Sequence, residues 1–130
     1  MKQVVTSPNA PKPVGPYSQA IKAGNYLYIS GQLAINPKDN KIVEGDITLQ
    51  TKQAMENIRT ILQVAQYTLE DVVQTTVYLS SMRLFNSFNK EYEKYFKTTP
   101  PARATVACEL KTGALIEISA IAYRENSDKL

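Results

Sequence analysis

The sequence predicts an α+β domain in which two helices cover one face of a mixed, six-stranded sheet. Six stretches have the pattern of strands, several of them with a clear two-residue alternation. Two longer stretches carry apolar residues every three or four positions, and the order is β-β-β-α-β-α-β-β. Each helix has one apolar stripe to bury, so packing both on the same side of the sheet satisfies both stripes. The chain has 130 residues and no break in composition, so residues 1–130 are expected to form one domain.

The first three strands are expected at residues 2–6, 17–23 and 26–33. Gly24-Asn25 is a two-residue turn that suits a hairpin, and the four prolines of residues 7–16 favour an extended connection. Alternation in the third strand predicts two faces, one with Leu27, Ile29, Gly31 and Leu33 and the other with Tyr26, Tyr28, Ser30 and Gln32.

The rest of the chain predicts two helices and three strands. Asp46 offers an N-cap for a helix that runs to about residue 66, and Ser80 or Ser81 can cap a second helix over residues 82–96. The remaining strands are expected at residues 69–79, 102–109 and 114–123, and a polar tail at residues 125–130.

Composition excludes several functional classes. The chain has no histidine and one cysteine, which excludes a disulfide, a cysteine/histidine metal site and a histidine-based triad within one chain. We expect neither a metal nor a cofactor. The net charge of +3 is spread over interspersed acids and bases, which does not favour nucleic-acid binding by charge alone. The sequence shows neither the apolar core of a signal peptide nor a membrane span, so we expect no membrane association and a cytoplasmic location.

Two charged residues occur in otherwise apolar strand sequence. Arg103 stands between two alanines and Glu117 between two isoleucines, so each needs a partner, a ligand or contact with water. Arg103 suits the binding of a carboxylate, because its guanidinium offers two parallel donors, but an internal ion pair or a solvated side chain is also compatible. Glu117 suits general acid or base chemistry, and an outward-facing strand residue is the alternative.

The spacing of these charges does not predict a direct pair. In a simple hairpin centred on Thr112, Arg103 would lie opposite Ile121 and roughly 13 Å from Glu117 along the ladder. Either the two strands are not neighbours, or the charges meet another element or another chain.

Three further residues are candidates for weaker reasons. Tyr17, fixed behind Gly15-Pro16, can orient a ligand or simply pack. Gly31, next to Ser30, allows a close approach of a ligand or marks a bulge. Asn89 can bond a ligand or water, and Cys108 is expected to be buried and inert.

Five segments together resemble the RidA family, also called YjgF. They are GPYSQA at residues 15–20, ISGQL at 29–33, the region of Asn57, PPARATV at 100–106 and IEISAIA at 116–122. The resemblance runs nearly end to end and implies a RidA-like domain with a chorismate-mutase-like fold. It also implies a homotrimer with three ligand clefts between subunits.

The resemblance further implies hydrolysis of 2-iminobutanoate and 2-iminopropanoate, which pyridoxal-phosphate-dependent dehydratases such as threonine dehydratase release. The products are 2-keto acids and ammonia. By the same resemblance, Arg103 holds the substrate carboxylate and Glu117 positions or activates the attacking water. Tyr17, Ser30, Gly31 and Asn89 then shape the cleft.

One position departs from the family pattern. The family's usual cysteine two residues after the arginine is Thr105 here, so the backbone N–H of Thr105 is the expected contributor to substrate binding.

A regulatory module that binds small carboxylates without turnover is the alternative function. An endoribonuclease is a further one, weakened by the missing histidine and basic patch.

Overall fold

The computed structural model describes residues 1–125, and the last five residues of the predicted polar tail lie outside this range. Within residues 1–125 there are two α-helices, α1 (Ile47–Val64) and α2 (Phe85–Tyr92). The strands are β1 (Lys2–Val5), β2 (Ala20–Ala23), β3 (Tyr26–Leu33), β4 (Ile35–Asn36), β5 (Lys41–Ile42), β6 (Val72–Leu79), β7 (Ala102–Ala107) and β8 (Ile116–Tyr123). Short 3-10 turns lie at Leu69–Asp71, Met82–Leu84 and Glu93–Tyr95.

Six strands form one mixed sheet in the order β1-β2-β3-β8-β6-β7. The β6–β7 pair is parallel, and the other neighbours are antiparallel. Both helices pack on one face, which confirms the predicted α+β class. The two-stranded ribbon β4–β5 was not predicted, because its four residues lie within a sequence dominated by turn formers.

The helix-covered face of the sheet forms the core. In β8 the even positions, such as Ile116 and Ile118, are fully buried, whereas the odd positions between them are half-buried on the opposite face. The largest fully buried side chain is Phe88 of α2, and α1 contributes Met55, Ile58, Ile61 and Leu62. The opposite face, here called the open face, has no covering layer among the described residues.

The predicted helix and strand ends shift by a few residues. Asp46 caps α1 as predicted, because its Oδ1 accepts a hydrogen bond from the Leu49 N–H at 3.0 Å. The predicted second helix contains a short α-helix flanked by 3-10 turns, and the strand predicted from residue 69 begins at Val72. The hairpin turn at Gly24-Asn25 is confirmed, with Gly24 at φ = 59°.

A β-bulge in β3 overturns the predicted alternation. Ile29 pairs with Ala120 and Gln32 with Ile118, so β3 has one residue more than β8 between these two pairs. Gln32 is therefore buried on the helix side, and Leu33 lies across from Glu117 on the open face. The prediction that Leu33 shares a face with Leu27 and Ile29 was wrong because it assumed an unbroken two-residue period.

Among residues 1–125, the helices are too short or too polar to cross a lipid bilayer.

Candidate active site

A cleft of about 390 Å³ on the open face brings together four of the predicted site residues. Its lining consists of Tyr17, Ser30, Gly31, Leu33 and Glu117. Glu117 lies in the central strand β8, between Leu33 of β3 and Tyr78 of β6. The bulge in β3 lets Ser30 and Gly31 reach this cleft.

Gly31 is required by the close approach of the Glu117 side chain. A Cβ atom built on Gly31 would lie 2.8 Å from Cδ and 3.1 Å from Cγ of Glu117, and nearer still to Oε2. Real Cβ atoms do not make such contacts, so a side chain at this position would displace the carboxylate. The bulge alternative for Gly31 is confirmed, and the group that approaches it closely is the Glu117 side chain rather than a ligand.

Hydrogen bonds to the preceding segment fix the other walls of the cleft. The Ser30 hydroxyl donates to the Ser18 carbonyl at 2.6 Å, so toward a ligand it can act only as an acceptor. The Tyr17 backbone N–H donates to the Gly15 carbonyl at 2.8 Å, and the Tyr17 hydroxyl accepts from the Val14 N–H at 3.4 Å. Tyr17 itself is 49% exposed, so its ring is available to a ligand.

Arg103 lies on the other face of the sheet. It pairs with Thr75 in the parallel ladder of β6 and β7, and Thr75 is buried toward α2. The Arg103 guanidinium carbon lies 4.9 Å from the ring centroid of Tyr92 and 5.2 Å from that of Phe88. Arg103 makes no ion pair with any residue in the described range, so aromatic rings rather than a carboxylate hold its charge.

Tyr92 links this arginine to the core. Its hydroxyl hydrogen-bonds to the Thr75 hydroxyl at 2.7 Å. Burial raises the pKa of Tyr92, and the Thr75 hydrogen bond and the Arg103 charge oppose this increase. The phenol therefore stays neutral at ordinary pH and offers its ring face to the guanidinium.

Asn89 and Thr105 lie with Arg103 on the helix side. Thr105 pairs with the buried Val77, two residues beyond Arg103 on the same strand face, and Asn89 lies one helical turn beyond Phe85. Asn89 Oδ1 and Thr105 Oγ1 are buried and have no hydrogen-bond partner within residues 1–125. A buried acceptor without a partner costs about 1–3 kcal/mol. A hydrogen-bond donor from a ligand or a second chain would remove this cost, so these atoms favour its binding.

The predicted residues thus form two groups on opposite faces of one chain. Strand β6 separates β7 from β8, which confirms that the strands of Arg103 and Glu117 are not neighbours. Arg103 lies on the helix side of the sheet and Glu117 on the open face. Cys108 is exposed beyond the end of β7, so the prediction that it is buried was wrong, because the alternation was extended past the end of the strand.

Sequence reasoning missed Gln19 as a support of the cleft. Its side chain is buried, with Oε1 accepting from the Ser7 N–H at 2.6 Å and Nε2 donating to the Pro11 carbonyl at 2.9 Å. Its backbone carbonyl accepts from the Ser30 N–H at 2.9 Å. A glutamine soon after a proline-rich segment was the available signal, because the backbone groups of such a segment need partners from outside it.

The protein is thus an α+β domain with a six-stranded mixed sheet. Both helices lie on one face of the sheet, and the cleft of Glu117 lies on the other. Residues 7–124 match the family described as Endoribonuclease L-PSP. A RutC family protein of Pyrococcus horikoshii is 54% identical, covering 96% of this chain and 100% of that protein. The human 2-iminobutanoate/2-iminopropanoate deaminase is 39% identical, covering 95% of this chain and 91% of that protein.

Solved structures give the same result. A Rid-family protein of Yersinia pestis has a TM-score of 0.91 at 43% identity, covering 95% of this chain and 100% of that one. The E. coli protein TdcF, solved with bound serine, has a TM-score of 0.90 at 28% identity, covering 95% of this chain and 99% of that one. This chain belongs to the Endoribonuclease L-PSP family, the YjgF/RidA family.

Proposed function

We propose that this protein hydrolyses 2-iminobutanoate and 2-iminopropanoate to the corresponding 2-keto acids and ammonia. The observation that carries this proposal is the position of Glu117, whose carboxylate lies against Gly31 in an open cleft with Tyr17 and Ser30. The human relative named for this activity supports the same reaction. RidA-like detoxification of reactive imines is the corresponding role.

The reaction needs little more than orientation of the substrate and a water molecule. Glu117 accepts a proton from water as the water oxygen attacks the iminium carbon, which forms a C–O bond and moves the C=N electron pair onto nitrogen. Glu117 then returns this proton to the amino group. As the C–N bond breaks, the hydroxyl oxygen forms the C=O bond and its proton passes to the departing ammonia. One imino acid and one water give one keto acid and one ammonium ion.

Arg103 binds the substrate carboxylate through two parallel N–H donors. The rings of Phe88 and Tyr92 orient the guanidinium without consuming it in an internal ion pair. Asn89 and the Thr105 backbone N–H complete this carboxylate-binding part of the site.

The active site is proposed to form between neighbouring chains of a homotrimer. Arg103 and Glu117 lie on opposite faces of one chain, so one chain cannot bring them to the same substrate. The open face also carries the exposed side chains of Tyr28 and Val106. Contact between one chain's open face and the next chain's β7 edge joins two different surfaces, and repeating such a contact by rotation closes a ring.

A pyridoxal-phosphate-dependent dehydratase, such as threonine dehydratase, is the proposed source of the substrate. The imine is reactive in water, so we place the protein in the same compartment as that enzyme, the cytoplasm. The proposed reaction needs no metal or cofactor, because the iminium carbon is already electrophilic.

A coupled assay tests the proposed activity. Added to threonine dehydratase and threonine, the protein should accelerate ammonia and 2-oxobutanoate formation, and no acceleration over buffer would overturn the proposal. Arg103→Ala should lower kcat/KM about 100-fold, because two charge-assisted hydrogen bonds are worth about 3 kcal/mol together. The control Arg83→Ala changes an exposed arginine of a 3-10 turn and should match the wild type.

A second candidate is a module that binds small carboxylates without turnover. The observation that favours it is the bound serine in the TdcF structure. Calorimetry that detects 2-oxobutanoate binding to a protein inactive in the coupled assay would support this alternative. The family description also names an endoribonuclease, and RNA cleavage that copurifies with the protein and is lost in Arg103→Ala would favour that activity.

A further inference from the structure

A second cavity of about 130 Å³ adjoins the cleft of Glu117. Tyr17, Gly31 and Leu33 line both cavities, so the two spaces lie side by side along the bulged end of β3. Lys12 and Lys111 reach the second cavity from two separate loops. This volume is several times the minimum that one water molecule needs, which leaves room for a carboxylate on one or two methylenes.

The lining of this second cavity is positively charged. Among residues 1–125, it contains Lys12 and Lys111 and no aspartate or glutamate. Neither lysine forms an ion pair with another residue in the range 1–125. Two lysines in a lining without an acidic side chain favour an anionic group between them, and Glu117 is the carboxylate of the adjoining cleft.

Two buried glutamines hold the loops that carry these lysines. Gln19 binds the backbone at Ser7 and Pro11, directly before Lys12. Gln50 of α1 donates to the Gly113 carbonyl at 2.9 Å and accepts from the Leu115 N–H at 2.8 Å, just beyond Lys111. The backbone on both sides of the cavity is therefore fixed before a ligand arrives, which lowers the entropic cost of binding.

We propose that this second cavity binds the side-chain carboxylate of a dicarboxylic 2-imino acid. The inference rests on the proposed function and extends its substrate class. The 2-carboxylate binds Arg103 of the neighbouring chain, the imine carbon lies at Glu117, and the side chain passes Tyr17 to Lys12 and Lys111. Imines derived from aspartate and glutamate have this chemistry.

Comparison of two imines tests this substrate class. Flavin-dependent amino acid oxidases generate 2-iminoglutarate and 2-iminobutanoate in situ, and keto acid formation above the spontaneous rate gives kcat/KM for each. The wild type should hydrolyse both imines. Lys12→Ala and Lys111→Ala should each lower the ratio of kcat/KM for 2-iminoglutarate over 2-iminobutanoate about tenfold, the effect of one charge-assisted hydrogen bond. Lys52→Ala, an exposed lysine of α1 outside both cavities, should leave the ratio unchanged.

The outcomes separate the two proposals. Hydrolysis of 2-iminobutanoate with a ratio that neither cavity lysine changes would overturn the second cavity as a subsite and leave the proposed function standing. Hydrolysis of neither imine would overturn the proposed function. Calorimetry then tests the cavity by itself, since 2-oxoglutarate should bind more tightly than 2-oxobutanoate, and both lysine variants should reduce this preference about tenfold. Equal binding of the two keto acids by the wild type would overturn the second cavity as a carboxylate subsite.

Discussion

Replacing Gly31 by alanine adds one methyl group at the most crowded point of the proposed active site. The new Cβ would lie 2.8 Å from Glu117 Cδ, whereas ordinary contacts begin at 3.4 Å, so this atom alone must move by about 0.6 Å. The carboxylate oxygen lies nearer still and must move further. A displacement of about 1 Å at a catalytic group can lower a rate about 100-fold, and the clash should also lower the free energy of unfolding by about 1–3 kcal/mol.

The coupled imine assay measures kcat, and urea denaturation measures stability. Gly15→Ala is the matched control, because a Cβ there would lie 3.5 Å from the nearest Tyr17 atom, an ordinary contact. In a Glu117→Ala background the stability cost of Gly31→Ala should disappear, since the clashing side chain is gone. A Gly31→Ala protein with wild-type kcat, or the same stability cost in both backgrounds, would refute this reasoning.

Three further predictions concern stability. Asp46→Ala should lower the free energy of unfolding by about 1 kcal/mol in urea denaturation, since it removes the N-cap of α1, and an unchanged value would contradict the capping role. Gln19→Leu should lower the free energy of unfolding by at least about 2 kcal/mol, because two buried backbone groups lose their partners. A decrease below about 0.5 kcal/mol, which is about twofold in the folding equilibrium, would contradict this. Burial raises the pKa of Tyr67, Tyr92 and Tyr95 above 10, so the folded state keeps protons that the unfolded state releases. Stability should therefore fall as pH rises above 10, less steeply in Tyr95→Phe, and stability that stays level from pH 9 to 11 would contradict the shifts.

Local sequence patterns predicted those parts of the fold that depend on neighbouring residues. The alternation of β8 was sufficient to place Ile116 and Ile118 on one face and Glu117 on the other. Successive side chains of a strand point to opposite faces of the sheet. Asp46 marked the start of α1 for an equally local reason. Gly31 indicated a bulge as one of two alternatives, but the resulting faces of Gln32 and Leu33 were not predicted, because they depend on the register between β3 and β8.

The face on which Arg103 lies depends on strand pairing across the whole domain. Alternation showed which residues share a face with Arg103, but not whether that face meets the helices. The strand-helix-strand order of β6, α2 and β7 contained an unused signal, since such a unit forms neighbouring parallel strands. That pairing places Arg103 beside Thr75, under the aromatic rings of α2. The grouping of Arg103 with Glu117 rests on the family resemblance and stays a prediction.

A complementation experiment tests the shared active site most directly. Arg103→Ala and Glu117→Gln are each expected to lose most of the wild-type activity. The two variants are unfolded together, refolded as a one-to-one mixture and assayed with 2-iminobutanoate. If each site combines Arg103 of one chain with Glu117 of the next, random assembly makes about a quarter of the sites intact, so the mixture should recover about a quarter of wild-type activity. A mixture no more active than the two separate variants would contradict a site built from two chains.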